Sequence, residues 1–261
     1  MAWAVITGGS SGMGLEFARQ LADSGCDLCL VARDNAGLQA VSKELKQQYH
    51  IKVKTLAVDL ADKKAADEVF KQIIGTSDLA YMVNNVGFGL HAPVDDASDD
   101  TIAKQCCAMD VMATNLMRFS LAAVRVMKQQ GYGHIINVSS TAAWTLQGNY
   151  SAIKGYVLTY TRSLALALKG SGVTATAVCP AWMHTNFHAA LGLPEPSIPE
   201  WVYVKPPEVV REAIKAAKRG KSWIIPTRRW RLAIWFLQHG PVALRYSVTR
   251  KYMKTKNYHG C

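Results

Sequence analysis

"AWAVITGGSSGMG", residues Ala2 to Gly14, decides how the rest of the chain is read. Its first half is an apolar, β-branched run with the length of a buried strand. Its second half is a glycine-rich turn, and a helical pattern of apolar residues follows from Met13 to Ser24. A strand, a glycine turn and a helix in that order form a recognised phosphate site. Glycines allow the tight turn and let the backbone approach a pyrophosphate, whose charge then rests on the helix N-terminus. The spacing here is T-G-x-x-x-G-x-G, looser than G-x-G-x-x-G. The plain alternative is a turn that needs glycine only for its own shape, and the position at the start of an alternating chain weighs against it.

That alternation continues. "CDLCLVA" precedes a helical pattern over Asn35 to Tyr49, "KVKTLAVDL" one over Lys63 to Ile74, and "LAYMVNN" a long one over Ser98 to Gln130. "HIINVSS" precedes the helix that contains Tyr150, "VTATAVCP" precedes a Pro-rich loop and a helix over Pro207 to Arg219, and "KSWIIP" reads as the last strand. Strands apolar on both faces, alternating with helices, predict a parallel sheet covered on both sides. The expected fold is α/β: a doubly wound parallel sheet in three layers, the Rossmann arrangement, in one domain over 1–226. A substrate loop falls at about 181–206 within it, and a basic amphipathic extension covers 227–261.

Composition narrows the function classes. Of the 261 residues 49% are hydrophobic, enough for a sizeable core. No run of about 20 apolar residues is present, so no membrane-spanning helix is expected. The first strand-like run begins at the second residue, which leaves no room for a signal peptide ahead of it, and a cytoplasmic location is expected. Of the six cysteines, several lie in apolar runs, as buried thiols of a reducing compartment do. Cys26 and Cys29 form a C-x-x-C, but no second pair has zinc-site spacing and no metal site is expected. The charge is uneven: residues 1–204 carry 16 Lys and Arg against 17 Asp and Glu, while residues 205–261 carry 14 against 2. The basicity belongs to the last fifth of the chain.

Two further features carry chemistry. The second strand ends at Ala32, with Arg33 next and Asp34 placed to cap the following helix. An acidic residue at that strand end favours the ribose hydroxyls of NAD, whereas an arginine suits the 2′-phosphate of NADP. Arg33 therefore favours NADP(H) over NAD(H), unless it is only a solvated loop charge. In "NYSAIKGY", Tyr150 and Lys154 stand four apart and share a helix face. Alone, the pair fits an amphipathic tyrosine and a snorkelling lysine.

"TGGSSGMG", "NNVG" (Asn84 to Gly87), "INVSS" (Ile136 to Ser140), "YSAIK" (Tyr150 to Lys154) and "CPAWMHT" (Cys179 to Thr185) occur in order. Each is weak alone. The ordered set resembles the short-chain dehydrogenase/reductase family in its single-domain form, over residues 2 to about 226, among its hydroxysteroid dehydrogenase and 3-ketoacyl reductase relatives. The resemblance implies that Tyr150 is the general acid/base for interconverting a carbonyl and an alcohol. Lys154 then lowers the pKa of the phenol and hydrogen-bonds the nicotinamide ribose, and Ser140 donates to the substrate oxygen. Ser140 fits the pattern better than Ser139 because "TAA" follows it. The same resemblance assigns cofactor contacts to Gly8, Ser10, Ser11, Gly12, Met13 and Gly14, to Arg33, to Asp59 and Leu60 of "VDL", to Asn85 and Gly87, to Tyr150 and Lys154, and to Pro180 and Thr185. The bland reading of the Asp and Asn positions is ordinary turn chemistry. It also implies a homodimer or homotetramer.

The chain departs from the family pattern in places. Where the family has an asparagine on the long central helix, an ungapped match puts Met112, with Asn115 three residues later. Either Asn115 takes the role through a shifted helix, or Met112 replaces it and the relay is altered, and the ungapped match favours Met112. Tyr150 lies only ten positions after Ser140, so the link between them must be tight. Ala181 stands where the family has glycine. The tail "RRWRLAIWFLQHGPVALRYSVTRKYMKTK" (Arg228 to Lys256) mixes basic and apolar residues at helical spacing, broken at Gly240-Pro241. It suits peripheral contact with anionic lipid, a flap over the site, or a subunit contact. Nucleic acid is not expected as a partner, because no recognition motif accompanies the charge. Taken together, the sequence predicts an NADP(H)-dependent oxidoreductase for a lipophilic ketone or alcohol, of steroid or acyl-chain type. The alternative is a dinucleotide-binding sensor or scaffold that has lost turnover.

Overall fold

The computed structural model describes residues 1–90, 93–183, 202–243 and 246–247. Seven parallel strands form one sheet in the order β3-β2-β1-β4-β5-β6-β7. They are β1 (Trp3–Thr7), β2 (Asp27–Ala32), β3 (Val53–Ala57), β4 (Leu79–Asn84), β5 (Gly133–Val138), β6 (Val173–Val178) and β7 (Trp223–Ile224). The chain winds outward from β1 to β3 and then returns to start β4 on the other side of β1. That reversal opens a crevice at the carboxyl ends of β1 and β4, where ligands bind in open α/β sheets.

Helices α1 (Gly12–Asp23), α2 (Asn35–Tyr49) and α7 (Pro206–Lys218) cover one face. Helices α3 (Lys63–Ile74), α4 (Asp99–Met109), α5 (Asn115–Gln130) and α6 (Gly148–Ala167) cover the other. Each amphipathic face supplies a core: Phe17 and Leu21 from α1, Val69 and Ile73 from α3, and Phe119 from α5 are all buried. A further helix, α8 (Arg228–His239), packs Ile234 and Leu237 against Leu158, Cys179 and Ile225 at the β7 edge. The three-layer α/β fold expected from the alternation is the fold observed.

The structure refines three expectations. The long helix over 98–130 is interrupted by a π-helical turn at Asp110–Thr114, between α4 and α5. Val111, Met112 and Ala113 are consecutive and all buried. A wider π turn turns less per residue and so directs adjacent side chains inward more readily than an α turn. The last strand forms ladder bonds only at Trp223–Ile224, because Pro226 lacks a donor. Cys26 and Cys29 are both buried free thiols but belong to cores on opposite faces of the sheet, so the C-x-x-C spacing does not bring them together.

A buried polar network ties the second helical layer to the sheet. The Asn84 amide on β4 donates to the Asn137 carbonyl oxygen at 2.8 Å and to Ser120 of α5 at 3.1 Å. The Asn137 amide on β5 donates to Thr161 of α6 at 3.0 Å, and Thr161 donates on to the Val157 carbonyl at 2.6 Å. Among the described residues the Asn84 side-chain oxygen is the one acceptor of this network left without a partner. Asn137→Ala strips partners from three buried groups, and urea denaturation should show a stability loss of about 2–3 kcal/mol with an unchanged slope.

Candidate functional site

The site begins at the carboxyl end of β1. The Thr7 hydroxyl accepts from the Asn85 and Val86 amides at 3.0 and 3.2 Å, and the Asn85 side chain donates back to the Thr7 carbonyl at 3.0 Å. These bonds clamp the glycine turn to the end of β4. The turn admits no side chain at two places. A Cβ on Gly8, whose φ is +72°, would lie 2.7 Å from the Asn85 amide nitrogen, and one on Gly14 would lie 1.9 Å from the Gly8 carbonyl oxygen. Helix α1 starts directly above. Its N-cap Ser11 makes no side-chain capping bond, and no acidic residue stands in the first turn. The amides of Gly12, Met13 and Gly14 are thus offered to an anion, while the Met13 side chain is buried in the core. Ser10 and Ser11 flank them. The donor set fits a dinucleotide pyrophosphate.

Further along the crevice, β2 ends at Ala32 and leaves Arg33 exposed. Asp34 caps α2 by accepting from the Gly37 amide at 3.0 Å. Asp59 is exposed past β3 and accepts from the Ala61 amide at 3.0 Å. Leu60 is buried, and its carbonyl takes the Asn115 side-chain amide at 2.8 Å. Asn115 is therefore committed away from Lys154. Thr185 lies outside the described residues, as does most of the loop expected at 181–206.

The other half of the site gathers where β5 and β6 end. Ser140 follows β5 and caps a 3-10 turn at Thr141–Trp144, its hydroxyl accepting from the Ala142 amide at 3.1 Å. The same hydroxyl hydrogen-bonds the Tyr150 phenol on α6. Ser139 takes a different part. It is buried, and its hydroxyl donates to the Lys154 carbonyl at 2.7 Å, pinning α6 to the strand end. Lys154 is only 3% exposed. Its ammonium donates to the Val138 carbonyl at 3.1 Å and stands 5.7 Å from the centre of the Tyr150 ring. A Cβ on Gly87 would lie 3.3 Å from the Lys154 Nζ and 3.6 Å from the Met112 Sδ, so Gly87, Met112 and Lys154 share one small chamber. Pro180 is buried just past β6, its carbonyl accepting from the Thr141 amide at 3.0 Å.

Two shifts in the site trace to burial. Burial pushes the Tyr150 phenol up to about 12, opposed only by the Ser140 hydrogen bond. Burial also draws Lys154 down from 10.5 to about 8, partly offset by Cys179 beside it. Lys154 was expected to lower the phenol pKa. In this geometry its ammonium is turned to the Val138 carbonyl, and desolvation governs both groups. The sequence pattern also gave no signal for the Val138 carbonyl or for Ser139 as the brace of α6, because in each bond the acceptor is a backbone carbonyl that any residue carries.

A glycine-turn nucleotide crevice next to a Ser, Tyr and Lys cluster at the strand ends defines a dinucleotide-linked α/β protein of the oxidoreductase kind. The family model for short chain dehydrogenase matches residues 2–195, and the chain belongs to that family. The very-long-chain 3-oxoacyl-CoA reductase of Bos taurus is 29% identical over 221 residues, covering 82% of this chain and 67% of its own. This chain spans about half to two thirds of the length of such curated relatives. Among solved structures, a short-chain dehydrogenase from Sphingobium yanoikuyae in complex with NADPH is 27% identical with a TM-score of 0.81, covering 91% of this chain and 94% of that one. A bulky-bulky ketone specific alcohol dehydrogenase from Comamonas testosteroni is 25% identical with a TM-score of 0.77, covering 91% and 92%.

The buried lysine has a measurable consequence. Its folded pKa lies below its unfolded value, so its burial destabilises the fold fully below pH 8, and that cost fades as pH rises from about 8 to 10.5. A shift of that size corresponds to about 3 kcal/mol. Lys154→Met should therefore unfold at a temperature no lower than the native chain at pH 7, with its relative advantage shrinking towards pH 10. Thermal unfolding followed by circular dichroism at both pH values checks this.

Proposed function

We propose that the protein is an NADP(H)-dependent oxidoreductase that interconverts a ketone and a secondary alcohol on a lipophilic substrate of steroid or acyl-chain type. One observation carries the reading: Ser140, Tyr150 and Lys154 converge at the ends of β5 and α6, beside a glycine turn whose open amides fit a pyrophosphate. Gly8, Ser10, Ser11, Gly12, Met13 and Gly14 would hold the pyrophosphate. Asp59, Leu60, Asn85 and Gly87 would line the adenosine side, and Arg33 would face a 2′-phosphate. Pro180 and Thr185 would border the nicotinamide. The cofactor, when bound, supplies or accepts hydride at the substrate carbon. The acyl-CoA reductase relatives and the bulky-ketone dehydrogenase support an apolar substrate.

The chain itself manages the proton. With its pKa near 12, the Tyr150 phenol keeps its proton at neutral pH. It can deliver that proton from Oη to the substrate oxygen as negative charge develops there. Ser140 already hydrogen-bonds Oη, so a substrate oxygen near Tyr150 also falls within reach of the serine, which orients it and stabilises the alkoxide. Lys154 would turn from Val138 towards the ribose and the phenol, favouring the phenolate that proton transfer leaves. A protonated resting phenol favours reduction over oxidation near pH 7. We further propose that the protein acts in the cytoplasm or at a lipid surface as a homodimer or homotetramer. Leu121 of α5 and Tyr156 and Leu166 of α6 are exposed on the helices that would pair.

A second reading has one observation behind it. Met112 puts a thioether beside Lys154 where a polar relay group would stand, which suits a dinucleotide sensor that no longer turns over. Titration with NADPH and NADH, followed by oxidation of NADPH against lipophilic ketones, separates the two. NADPH should bind tighter than NADH by at least about tenfold, a preference that Arg33→Ala abolishes. Tyr150→Phe should keep NADPH affinity and lose at least about a hundredfold in turnover. Binding without turnover of any ketone would favour the sensor. The pH dependence follows from the raised phenol: the alcohol-oxidising rate should climb by up to about tenfold per pH unit above neutrality, while ketone reduction stays level from pH 6 to about 8.

A further inference from the structure

We infer that the exposed face of α8 is a docking surface for an anionic lipid bilayer, set beside the catalytic turn. Helix α8 has two distinct apolar faces. Ile234 and Leu237 point inward, with Trp230 alongside, into the cluster that holds Leu158, Ala177, Cys179 and Ile225. Leu232, Trp235 and Phe236 point outward and are 59%, 52% and 53% exposed. With exposed Arg228 and His239 they form a continuous outer strip at helical spacing. Trp235 meets Phe236 edge-on at 5.1 Å and stacks on His239 at 4.9 Å, so the rings make one patch. Val242 and Tyr246, past the Gly240 break, are also exposed.

The charge around the patch selects the occupant. Arg228, Arg229 and Arg231 open the helix, and α8 carries no Asp or Glu. A second copy seated symmetrically on this face would bring arginine to arginine with no carboxylate of α8 between them. An anionic bilayer supplies the opposite charge and an apolar boundary for Trp, Phe and Leu together, at about 1 kcal/mol per basic residue near the surface. The helix presents the strip rigidly. The Arg231 Nε donates to the Ile225 carbonyl at 2.7 Å, the Trp230 indole donates to the Val202 carbonyl at 3.1 Å, and Arg229 donates to the Tyr203 carbonyl at 2.5 Å.

The position gives the surface its use. The inner face of α8 packs on Ala143 and Trp144 of the 3-10 turn that Ser140 caps. Docking would place that turn next to the lipid, so that an apolar ketone reaches Ser140 and Tyr150 without crossing water. Only this delivery step rests on the proposed activity. The docking itself does not.

Sedimentation of the full chain with vesicles of phosphatidylcholine, with and without phosphatidylserine, tests it. The native chain should pellet with the anionic vesicles, stay in solution with the neutral ones, and release at high salt. Leu232→Ser/Trp235→Ser/Phe236→Ser should weaken vesicle binding by more than about tenfold, with NADPH affinity and unfolding temperature unchanged. Should the triple change unfold the chain, Trp235→Glu alone reads the same face. A native chain that ignores anionic vesicles overturns the proposal, as does a triple variant that binds them equally well. A dimer that the triple variant converts to monomer, or retention by polyanions without vesicle binding, also overturns it. Failure to reduce ketones in a parallel assay would remove the delivery step and leave the vesicle result standing.

Discussion

A lysine ammonium sealed inside the protein organises the site. Lys154 takes part in none of the three ion pairs among the described residues, and its hydrogen bond runs to the Val138 carbonyl. A buried charge without a carboxylate must be held by dipoles, or it loses its proton. The surroundings follow from that need. Strand β5 ends at Val138, leaving a carbonyl to accept. Ser139 fixes the backbone of α6 at Lys154 itself. Gly87 leaves the ammonium room, since a Cβ there would lie 3.3 Å from it. The walls come from the ends of β4, β5 and β6 and from the π turn, so the chamber exists only after the sheet has assembled.

This arrangement is unfavourable for stability and favourable for chemistry. A lysine drawn down to about 8 lies closer to neutrality than a surface lysine and can trade protons near physiological pH. The network of Asn84, Ser120, Asn137 and Thr161 lies one layer behind it and joins the same strands to α5 and α6. It holds the helix that carries Tyr150 and Lys154 in register, where an apolar core would leave α6 freer to slide.

The sequence made the fold legible because both faces of each strand are apolar, and only a sheet buried on both sides explains that pattern. The glycine turn was legible from its place between a strand and a helix, whereas the Tyr150 and Lys154 pair says little alone and became legible only through the ordered set of motifs around it. What escaped was whatever depends on neighbours far apart in the chain. The π turn arises from three adjacent buried side chains, which a helical periodicity averages away. Asn115 and Met112 could not be told apart by number, since they lie within one turn. The structure separates them by partner, Asn115 to the Leu60 carbonyl and Met112 to the chamber of Lys154. The burial that raises the phenol was not legible either, because a sequence shows the charge four residues away but not the water that burial removes.

The short link between Ser140 and Tyr150 connects these layers. Within it the chain makes a 3-10 turn over Thr141–Trp144 and enters α6 at Gly148. The Ser151 hydroxyl holds the entry, accepting from the Gln147 amide at 3.0 Å and sharing a hydrogen bond with Thr145 at 3.2 Å. Trp144 closes the 3-10 turn. It packs on Trp223 with ring centres 5.7 Å apart and on the inner face of α8. A longer link would uncouple the serine from the helix at the C-terminal edge. In this chain Ser140 is braced on one side by α6, which carries Tyr150, and on the other by α8, with its exposed aromatic face. A change on the inner face of α8 therefore bears first on the 3-10 turn that Ser140 caps, while Tyr150 and Lys154 keep the register that α6 gives them.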